Sequence, residues 1–127
     1  MTNPFGHVDL RVADLAAALP FYERLLPALG FGERYHGETW KVFATGDDLP
    51  AGSYFALTES PGHRPNENRV AFWASSPADV DRAAAIAREA GATEVSGPKR
   101  MPYSPDYYAA FFADPAGNRL EVYFRTS

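Results

Sequence analysis

The sequence predicts an α+β fold made of two related modules, each a strand followed by a helix and two or three further strands. Two internal echoes and a pair of helical patterns predict it. Gly6-His7-Val8-Asp9-Leu10-Arg11-Val12 is answered by Asn68-Arg69-Val70-Ala71-Phe72-Trp73-Ala74, and setting His7 against Arg69 gives an offset of 62 (69 minus 7) that also lays Asp14 on Ser76. Ala51-Gly52-Ser53-Tyr54-Phe55-Ala56-Leu57 lies over Ala116-Gly117-Asn118-Arg119-Leu120-Glu121-Val122 at an offset of 65 (116 minus 51), which sets Ala56 against Glu121. After each early strand, apolar residues recur at helical spacing. The expected organisation is one domain over 1–127: module one at about 5–59, a linker over 60–68 and module two at about 69–127.

The elements follow in order. Val8, Leu10 and Val12 alternate with His7, Asp9 and Arg11, the period of a strand with one apolar face. Asp14 can cap a helix carrying Leu15, Leu19, Tyr22, Leu25, Leu26 and Leu29, with Gly30 ending it. Pro20 lacks a backbone donor, so the sequence predicts a loose first turn or a restart at that residue. Strands are expected at about Trp40 to Ala44 and Ser53 to Thr58, around the turn-forming run Gly46 to Gly52, with a weaker strand at Gly32 to Tyr35. Ser60 to Asn68, rich in Pro, Gly and Asn, reads as an exposed connection. A strand at Arg69 to Ala74 then leads to Ser76-Pro77-Ala78-Asp79, a cap, an N1 proline and a first-turn acid. The alanine-rich helix should run to about Ala90 and stop at Gly91. Pro98, Pro102 and Pro105 punctuate a loop, after which Tyr107 to Ala113 and Arg119 to Arg125 make a hairpin around Asp114-Pro115-Ala116-Gly117-Asn118.

Strand parity then sorts the side chains, because residues two apart point the same way. With Val8, Leu10 and Val12 toward the helices, His7, Asp9 and Arg11 take the opposite face. The same count adds Tyr54, Ala56 and Thr58, then Arg69, Ala71 and Trp73, then Arg119, Glu121, Tyr123 and Arg125. Ionisable and aromatic groups would converge from four strands, which suits a ligand cleft; a solvated sheet surface or a dimer interface is the plain alternative.

Composition narrows the function classes. A formal charge of -4 and a pI near 5.3, with Lys99-Arg100 as the local basic cluster, argue against nucleic acid or an anionic membrane as partner. With no cysteine there is no disulfide, thiolate metal site or Cys nucleophile. Neither a signal peptide nor a membrane-spanning run is recognisable, so a cytoplasmic location is expected. No Gly-x-Ser-x-Gly elbow or Gly-rich phosphate loop occurs.

His7-Val8-Asp9-Leu10, Asp14 ahead of Phe21-Tyr22-Glu23-Arg24-Leu25-Leu26, Leu29-Gly30-Phe31 and above all Asp114-Pro115-Ala116-Gly117-Asn118-Arg119-Leu120-Glu121-Val122 give the chain its family likeness. It resembles the vicinal oxygen chelate superfamily, which includes glyoxalase I, extradiol dioxygenases and bleomycin-resistance proteins; Tyr107-Tyr108-Ala109-Ala110-Phe111 resembles a bacterial glyoxalase-like subgroup. The resemblance implies paired βαβββ modules forming a curled mixed-sheet cup with helices outside, a small-molecule pocket between the modules and association as a homodimer.

In metal-using members the ligands come from the first and last strands of the modules. By position, the resemblance makes His7 and Glu121 candidate ligands for a divalent metal and candidate catalytic residues. Arg69 and Ala56 occupy the other two ligand slots, and neither can donate a lone pair to a cation, which leaves the set incomplete. The Arg69 guanidinium could instead supply positive charge, pairing with Glu121 or reaching a substrate carboxylate. Glu121 is a candidate general base, a role that an ion pair with Arg69 would weaken. Asp9, Tyr54, Arg69, Trp73, Tyr103, Tyr107 and Tyr123 are candidate ligand-binding residues, Tyr107 being equally compatible with a core position. Pro102 and Ser104 stand where histidines are expected in the subgroup, and His36 and His63 fall in predicted loops. Two functions stay open: a lyase, isomerase or dioxygenase relative with a degenerate metal site, or a non-catalytic protein that sequesters an antibiotic or metabolite.

Overall fold

A computed structural model describes residues 4–46 and 52–126. The chain forms two compact units, Met1–Arg64 and Pro65–Ser127. In the first, β1 (His7–Val12), α1 (Leu15–Ala28), β2 (Gly32–His36), β3 (Trp40–Ala44) and β4 (Tyr54–Glu59) follow one another. In the second come β5 (Arg69–Trp73), α2 (Pro77–Glu89), β6 (Thr93–Arg100), β7 (Tyr108–Ala113) and β8 (Arg119–Phe124). Each unit is a βαβββ module with a four-stranded mixed sheet, ordered β1-β4-β3-β2 in one and β5-β8-β7-β6 in the other. Unlike the curled cup that the family resemblance implies, the sheets are not strongly curled. The run 47–51 inside the predicted turn lies outside the described residues.

Backbone register expresses the duplication. β1 runs parallel to β4 with His7 beside Tyr54 and Asp9 beside Ala56; β5 runs parallel to β8 with Arg69 beside Arg119 and Ala71 beside Glu121. These are the same pairs under the two sequence offsets, so the echoes reflect equivalent positions in equivalent sheets.

Both helices are bounded by matching devices. Asp14 Oδ1 accepts the Ala17 N–H (3.1 Å) and Ser76 Oγ accepts the Asp79 N–H (3.1 Å), each satisfying an otherwise orphaned helix donor. The start of α1 has a second acceptor, Glu59 Oε2 at the end of β4, 3.0 Å from the Leu15 nitrogen. At the other ends Gly30 (φ 95°) and Gly91 (φ 110°) adopt the left-handed conformation. The hydrogen bonds Phe31 N–H to Leu26 O and Gly30 N–H to Pro27 O, and Ala92 N–H to Ala87 O and Gly91 N–H to Arg88 O, close two Schellman motifs.

Pro20 does not interrupt α1, which runs continuously over Leu15–Ala28 with Pro20 and Pro27 inside it. Both prolines and Ala16, whose carbonyl loses its donor at Pro20, are on the exposed side, where water can bond the freed oxygen. The buried side presents Phe21, Tyr22, Leu25 and Leu26, with the Tyr22 and Phe55 rings 6.0 Å apart. In the second unit Val80, Ala83, Ala84 and Ala87 pack α2 on β7 and β8, where Phe112, Leu120 and Val122 are buried. Small alanines bring that helix close to its sheet.

The sequence reading missed β6. Its Gly97 and Pro98 suggested a loop, but β6 is an edge strand with register shifts between Thr93 and Ser96 and between Ser96 and Lys99, a place where proline is tolerated. His36, expected in a loop, ends β2; its Nδ1 accepts a hydrogen bond from the buried Lys41 ammonium (3.2 Å), which also pairs with Glu33 (3.1 Å).

Candidate functional site

The second unit assembles most of the predicted binding residues on the sheet face turned away from α2. Parallel β5 and β8 put Trp73 beside Tyr123, and antiparallel β7 brings Ala109 opposite Tyr123 and Phe111 opposite Glu121. Alanine at 109 leaves room above the sheet. Into that room the loop before β7 folds Tyr107, whose ring stacks on Tyr123 at 5.0 Å with 2° between the planes. Trp73 stacks on the other side of Tyr123 (5.7 Å, 23°), and Tyr103 meets Tyr107 edge-on (5.0 Å, 76°). Trp73, Tyr123, Tyr107 and Tyr103 therefore form one continuous aromatic wall, with Trp73 57% and Tyr103 61% exposed at its ends.

Glu121 lies against this wall and is 6% exposed. The Tyr107 hydroxyl donates to its Oε2. Burial, the hydrogen bond and the Glu121 charge together push the Tyr107 phenol well above the ordinary tyrosine range. The pair is thus fixed as phenol donor and carboxylate acceptor, with Glu121 Oε1 as the remaining acceptor of the carboxyl group.

Arg69 does not form the expected ion pair with Glu121. Its guanidinium carbon lies 5.1 Å from the centre of the Phe111 ring, and among the described residues no ion pair joins the two. Arg125 adds a second cation to this face, 4.4 Å from the Trp73 ring centre, while its carbonyl accepts the indole N–H (3.3 Å). The sequence reading assigned neither Arg125 nor Phe111 to the site. Parity already set Arg125 on this face, but Phe111 could be found only once the β7–β8 register was known.

The other predicted residues lie in the first unit, on β1 and β4. The His7 imidazole is exposed and stacks flat on Tyr54 (4.3 Å, 4°). Asp9 Oδ1 accepts the Thr58 hydroxyl (2.6 Å), and its other oxygen is 3.4 Å from the Arg11 guanidinium. Ala56 is buried beside Asp9.

The hairpin that carries Glu121 to its place explains its conspicuous sequence. The buried Asp114 Oδ1 accepts the backbone N–H groups of Ala116 (3.0 Å), Gly117 (2.8 Å) and Asn118 (2.9 Å), and Oδ2 accepts the Asn118 amide (2.9 Å). Gly117 takes φ 109°, which a side chain would resist. This turn sets where β8 begins, and so which side chains face the wall.

The glyoxalase/bleomycin resistance protein/dioxygenase superfamily model matches residues 5–122. The chain belongs to this superfamily. A comparison with curated proteins returns no match. Among solved structures, a glyoxalase/bleomycin resistance protein from Albidiferax ferrireducens is similar at 27% identity and TM-score 0.79, over 98% of this chain and 100% of that one. The fosfomycin resistance protein FosX from Listeria monocytogenes shares the fold at 22% identity and TM-score 0.70, over 99% of this chain and 96% of that one. The bleomycin resistance determinant encoded on transposon Tn5 does so at 19% identity and TM-score 0.70, over 98% and 100%.

Metal-using members of the superfamily bind their ion through side chains of the first and last strands of the modules. Here the donor set does not fit a site with three protein ligands. Of the four matched positions Arg69 and Ala56 offer no lone pair, and one Glu121 oxygen is already taken by Tyr107. Among the described residues no three His, Asp or Glu side chains are grouped to hold a metal ion.

Proposed function

We propose that this superfamily member is a small-molecule-binding protein whose ligand lies against the aromatic wall of the second unit, with Glu121 receiving a hydrogen bond from it. One observation carries the reading: three stacked aromatic rings and a fourth set edge-on follow one another beside a buried carboxylate, yet the outer rings stay open to solvent. Large rings offer much contact area with few rotatable bonds, and a polar group fixed among them supplies orientation. The incomplete donor set favours sequestration over metal chemistry, and the Tn5 and Listeria proteins that share the fold are named as resistance proteins. The soluble partner is a small molecule, and the proposed assembly is a homodimer.

A catalytic reading, as a lyase, isomerase or dioxygenase relative, is favoured by the presence of His7 and Glu121 at matched strand positions. Metal analysis of protein purified without a chelating tag separates the two, combined with thermal shifts in Fe, Mn, Ni and Zn salts. The binder reading expects substoichiometric metal and no rise in melting temperature. Stoichiometric metal with a clear rise would overturn it in favour of the enzyme.

A further inference from the structure

The same sheet face carries more positive charge than its own carboxylate can balance. Arg69 and Arg119 are direct neighbours in the parallel β5–β8 ladder, both exposed, and Arg125 is on the same side of β8. Lys99 is in register with Ala109 on β6 and bonds the Ser96 hydroxyl (2.8 Å). Among the described residues none of these four has a carboxylate within ion-pair distance. Glu121, the carboxylate on this face, is held by Tyr107.

Arg69 is the best placed of the four. The cation–π contact with Phe111 holds its guanidinium over the ring without neutralising it, so its N–H groups remain available to an anion. Phe111 is level with Glu121, one pleat step along β8 from Tyr123. That step is ~7 Å for two residues of strand. An aromatic ring, a carboxylate attached to it and one N–H···O bond of about 2.9 Å cover a similar length.

We infer that Arg69, flanked by Arg119, is an anion subsite, and that the ligand is a planar aromatic acid with its ring on the wall and its carboxylate on the Arg69 guanidinium. This rests on the wall being the ligand site, as proposed above, and adds the chemical class of the ligand. A bidentate, charge-assisted contact gives such a site a preference that a neutral isostere of the same shape would not receive.

The test is calorimetric titration of the full chain with 6-hydroxy-2-naphthoate and with its neutral counterpart 6-hydroxy-2-naphthamide, both of which carry a hydroxyl that can donate to Glu121. The expected result is that naphthoate binds at least about tenfold more tightly, that Arg69→Gln removes this preference by weakening naphthoate far more than naphthamide, and that Arg69→Lys restores part of it. Equal affinities for the two probes, or a naphthoate preference untouched by Arg69→Gln, would overturn the anion subsite. The wall would then be judged separately by Trp73→Ala, which should weaken both probes. Binding of neither probe at millimolar concentration would sink the wall and the subsite together. Arg69 is exposed, and an unchanged melting temperature in the Gln variant verifies folding.

Discussion

Replacing Tyr107 by Phe tests whether the wall and the carboxylate act as one unit. The ring and its stacking on Tyr123 are retained, while the hydroxyl that donates to Glu121 is lost. Glu121 is 6% exposed, so its carboxylate would have little water with which to replace that donor. Hydrogen bonds to charged groups contribute roughly 1.5–3 kcal/mol, and an acceptor left unpaired carries its full desolvation cost. In a domain of this size each kcal/mol moves the melting temperature by about 4 °C, so Tyr107→Phe should lower it by roughly 6–12 °C. The decisive assay is a double-mutant cycle in urea with Tyr107→Phe, Glu121→Leu and the two together. Removing both partners leaves no orphaned group, so the double variant should be more stable than the sum of the single losses implies, by at least ~1 kcal/mol. Additivity of the single losses to within about 0.5 kcal/mol would refute the coupling.

Other expectations follow from the same contacts. Because its pKa is raised, Tyr107 should ionise later than an ordinary tyrosine in an absorbance titration near 295 nm, and Tyr107→Phe should delete that late step. The sign for stability is that the unfolded phenol ionises near pH 10 while the folded one resists, so stability falls as pH rises above ~10, less so in the Phe variant. Asp114→Ala strips the turn of four hydrogen bonds and should cost about 3–5 kcal/mol in urea unfolding; a loss under ~1 kcal/mol would mean that the turn forms without its carboxylate. Ser76→Ala should cost about 1 kcal/mol, with Ser76→Asp recovering most of it, as read by thermal melts.

Much of the fold was legible because its signals were local. Caps at Asp14 and Ser76 and stops at Gly30 and Gly91 act within one helical turn, and the structure uses all four. Strand parity was equally readable, since it depends on alternation alone: β1 alternates between exposed His7, Asp9 and Arg11 and the more buried Val8, Leu10 and Val12. The failures involve context that no short window contains. Proline at 98 opposes a central strand, but β6 is at an edge; proline at 20 opposes a helix, but its freed carbonyl is on the wet side. Site membership was partly readable for the same reason. Parity chose the face, whereas the actual contacts depended on register and on how a loop folds. Tyr107 lies just before its strand, so the path of residues 101–107 puts its hydroxyl on Glu121, while Arg69 lies over Phe111.

The duplication accounts for why the second unit carries the wall and the first does not. Under the repeat, Trp73 corresponds to Arg11 and Tyr123 to Thr58, two positions at the same level of equivalent parallel ladders. In the first unit that level holds small or charged groups that satisfy one another: Thr58 donates to Asp9, and Asp9 pairs with Arg11. In the second, Ala71 takes the place of Asp9 and the carboxylate stands across the ladder as Glu121, where Tyr107 engages it; the Trp73 and Tyr123 rings stack on each other with the Arg125 guanidinium beside them. Charge balance has moved in the same direction. The first face contains its carboxylate next to its arginine, whereas on the second Tyr107 engages the carboxylate and Arg69, among the described residues, has no ion-pair partner. A cation held over a ring and an aromatic surface left partly open are both satisfied by the same kind of partner, a flat molecule bearing negative charge.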